Sequence, residues 1–322
     1  MIPRRLLLAA PALLAAPRDA RAQAAFPARQ IRIVVPFTPG GSPDVLARIL
    51  AEEMGRRWPA GAVAENRPGA GGNLAAEAVA RSAPDGHTLL LMSNNIVAVN
   101  PHIGRMPIDP LTDLVPVALL ARSPLVIVVN PEQPVRDLMG LVTMARAQPG
   151  AVTYASAGNG SPHHLAMALL AHMTGVTMTH VPYRGTAPAL TDVVAGRVAA
   201  MATPYGTATP MIADRRVRPL AAAGARRLPG LPDLPTAAEA GVPGYETDTW
   251  LSLVAPRSTP PAAIAALEAM ALETMSLPRT RETLERQGIE LDAAGASALG
   301  ELMRRDSARW GEVIRAAGIR ED

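Results

Sequence analysis

The sequence predicts an α/β protein folded as two lobes. Three observations carry this. Short β-like runs alternate with helix-like runs along the chain. The alternation breaks over 100–116, which is Pro-rich and irregular, and then resumes as a second series. Each series holds a glycine loop that leads from a strand into a Ser-Pro helix start: VVPFTPGGSPD at 34–44 and VTYASAGNGSPHH at 152–164.

Residues 31–35 read as the first strand. Ser42 is the candidate N-cap of the next helix, with Pro43 at its first position, where a missing N–H costs nothing. That helix covers 44–57, with Val45, Leu46, Ile49, Leu50 and Met54 at helical spacing. A short strand at 61–65 precedes the loop NRPGAGGN. A helix over 74–82 stops at Ala83-Pro84-Asp85-Gly86, and 88–92 is an almost wholly apolar strand, as at the centre of a parallel sheet. Residues 114–129 are a long apolar extended stretch interrupted at Ser123-Pro124. The second series has a helix over 137–147, a strand at 152–156, and a helix opened by Ser161 and running to 175. A strand at 176–181, a helix at 187–196 and a short strand at 199–203 follow. Residues 218–223 read as a strand leading into a Pro/Gly-rich loop over 224–244, and extended chain returns at 245–255. The tail has helices at 261–275 and 297–317 with a short one at 279–287. The first lobe is expected to use 25–122 and 246–322, and the inserted second lobe 123–245. Ligands of open α/β sheets sit outside the C-terminal ends of the strands, so two such lobes would face one another across a cleft.

The chain has 322 residues, 48% of them hydrophobic, enough for large cores. Residues 1–22 combine Arg4-Arg5, the apolar run LLLAAPALLAAP and an Ala-x-Ala site. That is a secretory signal, too short and Pro-interrupted to span a bilayer, with cleavage expected near Ala22 or Ala24. The segment holds four of the 31 cationic residues and one of the 28 acidic ones, so 27 of each remain and the net charge of +3 disappears. No surplus is left to neutralise phosphates, and aromatic residues are only 3%, so nucleic acid is not an expected partner. Every cation other than histidine is arginine. The absence of lysine excludes a P-loop and Schiff-base chemistry. The absence of cysteine excludes disulfides and thiolate metal sites.

Ser42 and Ser161 each precede a proline at a helix start, and such starts point free N–H groups and a partial positive charge at the loop before them. Two of them, one per lobe, suggest anion-receptive ends facing across the cleft. Neither loop contains the cation that phosphate usually recruits, whereas a carboxylate can be held by N–H groups and hydroxyls alone. Asp44, early in its helix, either complements the dipole or hydrogen-bonds a ligand or an ordered water. Catalytic signals are incomplete. The elbow G-x-S-x-G does not occur, and Pro162 removes the N–H that an oxyanion hole at Ser161 would use. His163 and His164 are adjacent, Met167 stands where a helical metal pair would continue, and no acid completes a set. No metal or cofactor is expected. Tyr183 and Arg184 follow a strand end, where a ligand contact and a solvated loop are equally compatible. An α/β hydrolase is the main rival to a binding function, and no recognised motif supplies its triad.

The stretches IRIVVPFTPGGSPDVLARIL, ENRPGAGGNLAAEAVARSAPDGHTLLL, VNPHI, YASAGNGSPHHLA, HVPYRGTAPALTDVVAGRV and LPTAAEAGVPGYETDTWLSLVAP resemble the tripartite tricarboxylate transporter substrate-binding proteins, also called the Bug family. The resemblance covers about residue 26 to the C-terminus. It implies a two-lobe periplasmic binding protein fold of type II-like topology with a closing cleft. It also implies a non-catalytic, periplasmic and monomeric protein that captures a small mono-, di- or tricarboxylate. Delivery would be to the membrane subunits of a tripartite tricarboxylate transporter, or to a signalling partner, since a sensor would use the same closure. In such proteins the two glycine loops grip one carboxylate, which carries over onto Thr38, Gly40, Gly41, Ser42 and Asp44, and onto Ala157, Gly158, Asn159 and Ser161. Ser93 and Asn94 match positions that line the cleft. The family often has Phe-Asp-Asn where this chain has Ala202-Thr203-Pro204, followed by Tyr205. The lost acid argues against an ammonium-bearing ligand, and a non-amino carboxylate with its body near Tyr205 is expected.

Overall fold

The computed structural model describes residues 26–317 except Asp248. The predicted signal, with Ala22 and Ala24, lies outside the described residues. In chain order the elements begin with β1 (Ile31–Val35), α1 (Ser42–Arg57), β2 (Ala62–Asn66), α2 (Asn73–Ala80) and β3 (Thr88–Ser93). Three single-turn helices follow, α3 (Asn95–Ala98), α4 (Asn100–Ile103) and α5 (Pro110–Asp113), and then β4 (Leu114–Arg122). The chain continues through β5 (Leu125–Val129), α6 (Leu138–Ala147), β6 (Thr153–Ser156), α7 (Pro162–Thr174), β7 (Thr179–Pro182), α8 (Thr186–Val194), β8 (Ala200–Pro204), α9 (Tyr205–Ala213) and β9 (Arg218–Ala222). It ends with β10 (Trp250–Pro256), α10 (Pro261–Ser276), α11 (Pro278–Arg286), β11 (Glu290–Gly295) and α12 (Ala296–Ala317).

Two sheets result, with orders β11-β4-β10-β3-β1-β2 and β7-β6-β8-β5-β9. Their plans match. In the first, β1 runs parallel to β2 and β3, and β10 pairs antiparallel with β3 and β4. In the second, β6 runs parallel to β7 and β8, and β5 pairs antiparallel with β8 and β9. In each sheet the strand that has just crossed from the other sheet, β10 or β5, is reversed, and in the first sheet the edge strand β11 is reversed as well. The α/β class predicted from the alternation is the observed one.

Both faces of each sheet are covered, so the strands read as apolar runs. In β1, Ile31, Ile33 and Val35 pack with Leu46, Leu50 and Met54 of α1, whereas Val34 faces Ala75 and Val79 of α2. In β5, Val126 and Val128 face α8, and Ile127 and Val129 join the core under α6 and α7. The helix α12 lies over the first sheet, where Trp250 Nε1 donates to Asp306 Oδ2 at 2.8 Å.

Three elements depart from the sequence reading. The stretch 100–116 is not wholly irregular, because Pro101 and Pro110 each stand in the first turn of a helix, where proline is tolerated. These helices are too short to show periodicity. The helix α9 carries Gly206, two threonines and an internal Pro210, which lower its intrinsic propensity. The edge strand β11, Glu-Leu-Asp-Ala-Ala-Gly, has no β-branched residue and is mostly half-exposed.

Candidate functional site

In the orders β2-β1-β3 and β7-β6-β8 the chain leaves the middle strand to one side and returns to the other. The loops after these strands diverge and leave a crevice at their C-terminal ends. The loops after β1, β3, β6 and β8 meet there between the two sheets. At the crossing from β4 to β5, Ser123 and Leu125 face this crevice and Pro124 faces away.

An inner cavity of about 20 Å³ lies in the crevice. The first lobe contributes Gly41, Ser42 and Ser93 with Thr249, and the second contributes Pro162, His163, Thr186 and Pro204. These residues include the starts of α1, α7 and α8. Three helix N-termini therefore point their partial positive charge at one small volume. Among the described residues no charged side chain lines it. A volume near 20 Å³ holds about one water, so a solute enters only when the lobes part.

The first glycine loop is held from behind. Gly40 has φ +94°, a conformation that favours glycine. Its N–H donates to Asp44 Oδ2 at 3.0 Å. The same carboxylate accepts two bonds from Arg48, at 2.9 and 3.0 Å, and one from Asn66 Nδ2 at 2.9 Å. Asn66 Nδ2 also donates to Phe37 O at 3.0 Å. Burial alone would raise the Asp44 carboxyl, but the bonds from Arg48, Asn66 and Gly40 outweigh it and hold the group below the usual range. Gly40 and Asp44 are absent from the wall of this cavity, and Asp44 holds the loop from behind. Asp44→Ala is expected to cost about 1.5 kcal/mol at pH 7, the scale of hydrogen bonds to a charged group. Because the carboxyl is depressed, this stability is present above its unfolded value and fades as pH falls through the folded one. Urea unfolding at pH 7 and pH 3 checks this, and equal losses at both pH values would refute it.

Ser42 does not cap α1. Gly41 occupies the N-cap with extended dihedrals, and the reach of Asp44 back to Gly40 replaces a serine cap. Ser42 Oγ is thereby released to meet Ser123 Oγ at 2.8 Å across the crossing segment. Ser161 does cap α7, accepting the His164 N–H at 3.4 Å, so its hydroxyl serves its own helix.

The second glycine loop lies elsewhere. Ala157, Gly158 and Asn159 line an open groove of about 640 Å³ together with Tyr183 and with Gly69–Gly71 of the first lobe. Tyr183 O–H donates to Asp192 at 2.6 Å, and burial together with this bond pushes the phenol up to about 12. Thr38 sits on Gly185, between Tyr183 in the groove and Thr186 in the inner cavity. Beneath the loop, Ser156 Oγ holds the Gly158 N–H at 3.0 Å and meets His180 Nε2 at 2.6 Å. His164 Nδ1 accepts the Gly160 N–H at 3.1 Å, and its ring stacks on His180 with centroids 4.1 Å apart. Burial, and secondarily the neighbouring His180, lower His164 to about 3.

Two expected site residues point away. Asn94 is hydrogen-bonded to Asp306 under α12, and its N–H donates to Trp250 O at 3.1 Å. Tyr205 lies behind the crossing, in a separate pocket of about 340 Å³ with Pro124 and the turn at Gly288. The change of direction from β8 to α9 at Pro204 carries Tyr205 to that side, so it does not line the inner cavity.

The sequence reading did not assign His163, Thr186, Thr249 or Ser123 to the site. The loop PGAGGN at 68–73 lies between β2 and α2. Its glycines serve contact between lobes: a Cβ at Gly71 would overlap the Asn159 carbonyl oxygen.

The family described as "Tripartite tricarboxylate transporter family receptor" matches residues 46–319. A UPF0065 protein from the tcbD-tcbE intergenic region of Pseudomonas sp. is 40% identical over 316 residues, which is 97% of this chain and 94% of that protein. The R. palustris protein Rpa4515, solved with adipate, has 36% identity and a TM-score of 0.87 over 92% of this chain and 99% of its own. MatC from Rhodopseudomonas palustris, solved with bound malate, has 33% identity and a TM-score of 0.86 over 90% of this chain and 100% of its own.

Proposed function

Because this chain belongs to the tripartite tricarboxylate transporter receptor family, a family of solute receptors and not of enzymes, we propose that it is a periplasmic solute-binding protein for a small organic carboxylate lacking an amino group. One observation carries the ligand class: three helix N-termini converge on a cavity without a charged side chain. Dipole ends, N–H groups and hydroxyls suit a singly charged carboxylate end. An ammonium would find no acid there, and Thr203, in β8 just before Pro204, stands where the family resemblance implies one. Relatives solved with adipate and with malate are consistent with this chemistry.

The mechanism is closure. A solute bound between lobes that touch only when closed shifts the population toward the closed form by its differential affinity. The closed protein then engages the membrane subunits of a tripartite tricarboxylate transporter. A thermal-shift panel tests the ligand class. Plain, hydroxy and oxo carboxylates are expected to raise Tm by a few degrees at saturating concentration, as ligands that bind only the native state do. Stabilisation by glutamate or aspartate with none by other carboxylates would overturn the reading.

A further inference from the structure

Among the described residues that line the inner cavity, His163 is the one with a fully buried polar atom left without a partner. It is only 5% exposed. Its Nε2 meets Thr186 Oγ1 at 3.1 Å, and its Nδ1 is buried with no hydrogen-bond partner. A buried polar atom without a partner costs free energy and calls for one. The residue that bears it lines the inner cavity between the lobes. Position explains why a side chain stands there. Pro162 occupies the first place in α7 and has no N–H, so this helix start lacks its first backbone donor. The imidazole supplies a polar group at the same place.

We propose that His163, with Thr186 behind it, is the specificity-determining residue of the cleft: it reads a hydroxyl or keto oxygen on the carbon next to the bound carboxylate, so that 2-hydroxy and 2-oxo acids are preferred over plain acids of the same length. This rests on the carboxylate reading above. The cavity is narrow, and the helix ends that would hold the carboxylate include the one that bears His163, so the second polar atom must be adjacent to the first. The pair adapts to either oxygen. Facing a keto oxygen, Nδ1–H donates and the Thr186 hydroxyl donates to Nε2. Facing a hydroxyl that donates, Nδ1 accepts and Nε2–H donates to Thr186. Burial lowers His163 to about 4, so the ring is neutral near pH 7 and can take either tautomer. The Ser42 and Ser123 hydroxyls already bond one another, which leaves His163 the less satisfied group.

Calorimetric titration of the full-length protein with matched pairs tests this: lactate and pyruvate against propionate, malate against succinate, and 2-hydroxyglutarate and 2-oxoglutarate against glutarate. In at least one pair the hydroxy or oxo acid is expected to bind about tenfold or more tightly than the plain acid, the scale of one hydrogen bond to a buried group. His163→Phe, which keeps a ring but no hydrogen bond, is expected to bring that ratio to about one. His163→Asn, whose amide reaches the Nδ1 position, should keep part of the ratio, and it serves as the test if the phenylalanine variant does not fold. Equal affinities within every bound pair in the wild type would overturn the role of His163 and leave the carboxylate reading standing. Binding of no member of any pair would overturn both.

Discussion

Alanine at position 206 is expected to reduce carboxylate affinity about 100-fold while leaving the ligand-free protein as stable as the wild type or slightly more so. Gly206 lies in the first turn of α9, and a Cβ there would overlap the backbone carbonyl oxygen of Gln287 in the first lobe. A carbonyl between α11 and β11 cannot step aside as a side-chain tip can, and forced overpacking costs about 1–3 kcal/mol. That cost falls on the arrangement of the lobes described here, in which Gly206 and Gln287 touch. In the open form alanine is simply a better helix residue than glycine, worth up to about 1 kcal/mol in a helix interior. The two effects therefore have opposite signs in two measurements. Thermal melts should show no loss of stability, and titration with the best carboxylate should show the weakened binding. Unchanged affinity would mean that the ligand-bound form does not include this contact.

Acidification from pH 7 to pH 5 is expected to remove about 4 kcal/mol of stability, about 2 from each of two buried histidines. Burial lowers His163 to about 4, and burial with the neighbouring His180 lowers His164 to about 3. In the unfolded chain both titrate near 6.5. As pH falls through that value the unfolded chain binds protons that the fold refuses. Stability is thus complete above about 6.5 and declines until the folded values are reached. The refusal at His164 has a geometric cause, because its Nδ1 accepts the Gly160 N–H and cannot do so once protonated. Urea unfolding at the two pH values measures the loss. His164→Asn, which preserves an acceptor for Gly160, should remove about half of it. A pH dependence untouched by this substitution and by His163→Phe would refute the assignment.

The fold was legible because its helices and central strands are long and periodic: β1, β3, α1 and α7 each announce themselves by spacing, caps or an unbroken apolar run. Elements whose identity depends on tertiary context were not. The edge strand β11 and the helix α9 have weak local preferences and exist because neighbours pair with or pack on them. The site divides similarly. Gly41, Ser42 and Ser93 line the inner cavity, since loops at the switch points of a parallel sheet can be placed from topology alone. Asp44, Asn94 and Tyr205 lie where the sequence reading would not place them. Whether a side chain turns toward a cleft, toward its own loop or under a helix depends on partners distant in sequence, such as Asn66 for Asp44, Asp306 for Asn94 and Gly288 for Tyr205. His163 and Thr186 carried no motif that distinguishes a cavity histidine from one in the core.

In the first sheet β10 lies between β3 and β4, yet it comes from 250–256, after the whole of the second sheet. The strands of the second sheet are contiguous in the chain, from β5 to β9. A chain delivered N-terminus first can therefore complete the second sheet while the first still has a gap at its centre. The apolar strands on either side of that gap, β3 and β4, stay unmatched until residue 256 has arrived. The segment that fills the gap also brings Thr249 and Leu251 to the cavity wall. The arrival of β10 thus closes the first sheet at its centre and completes the cavity wall in one step, and a chain stopped before it has neither.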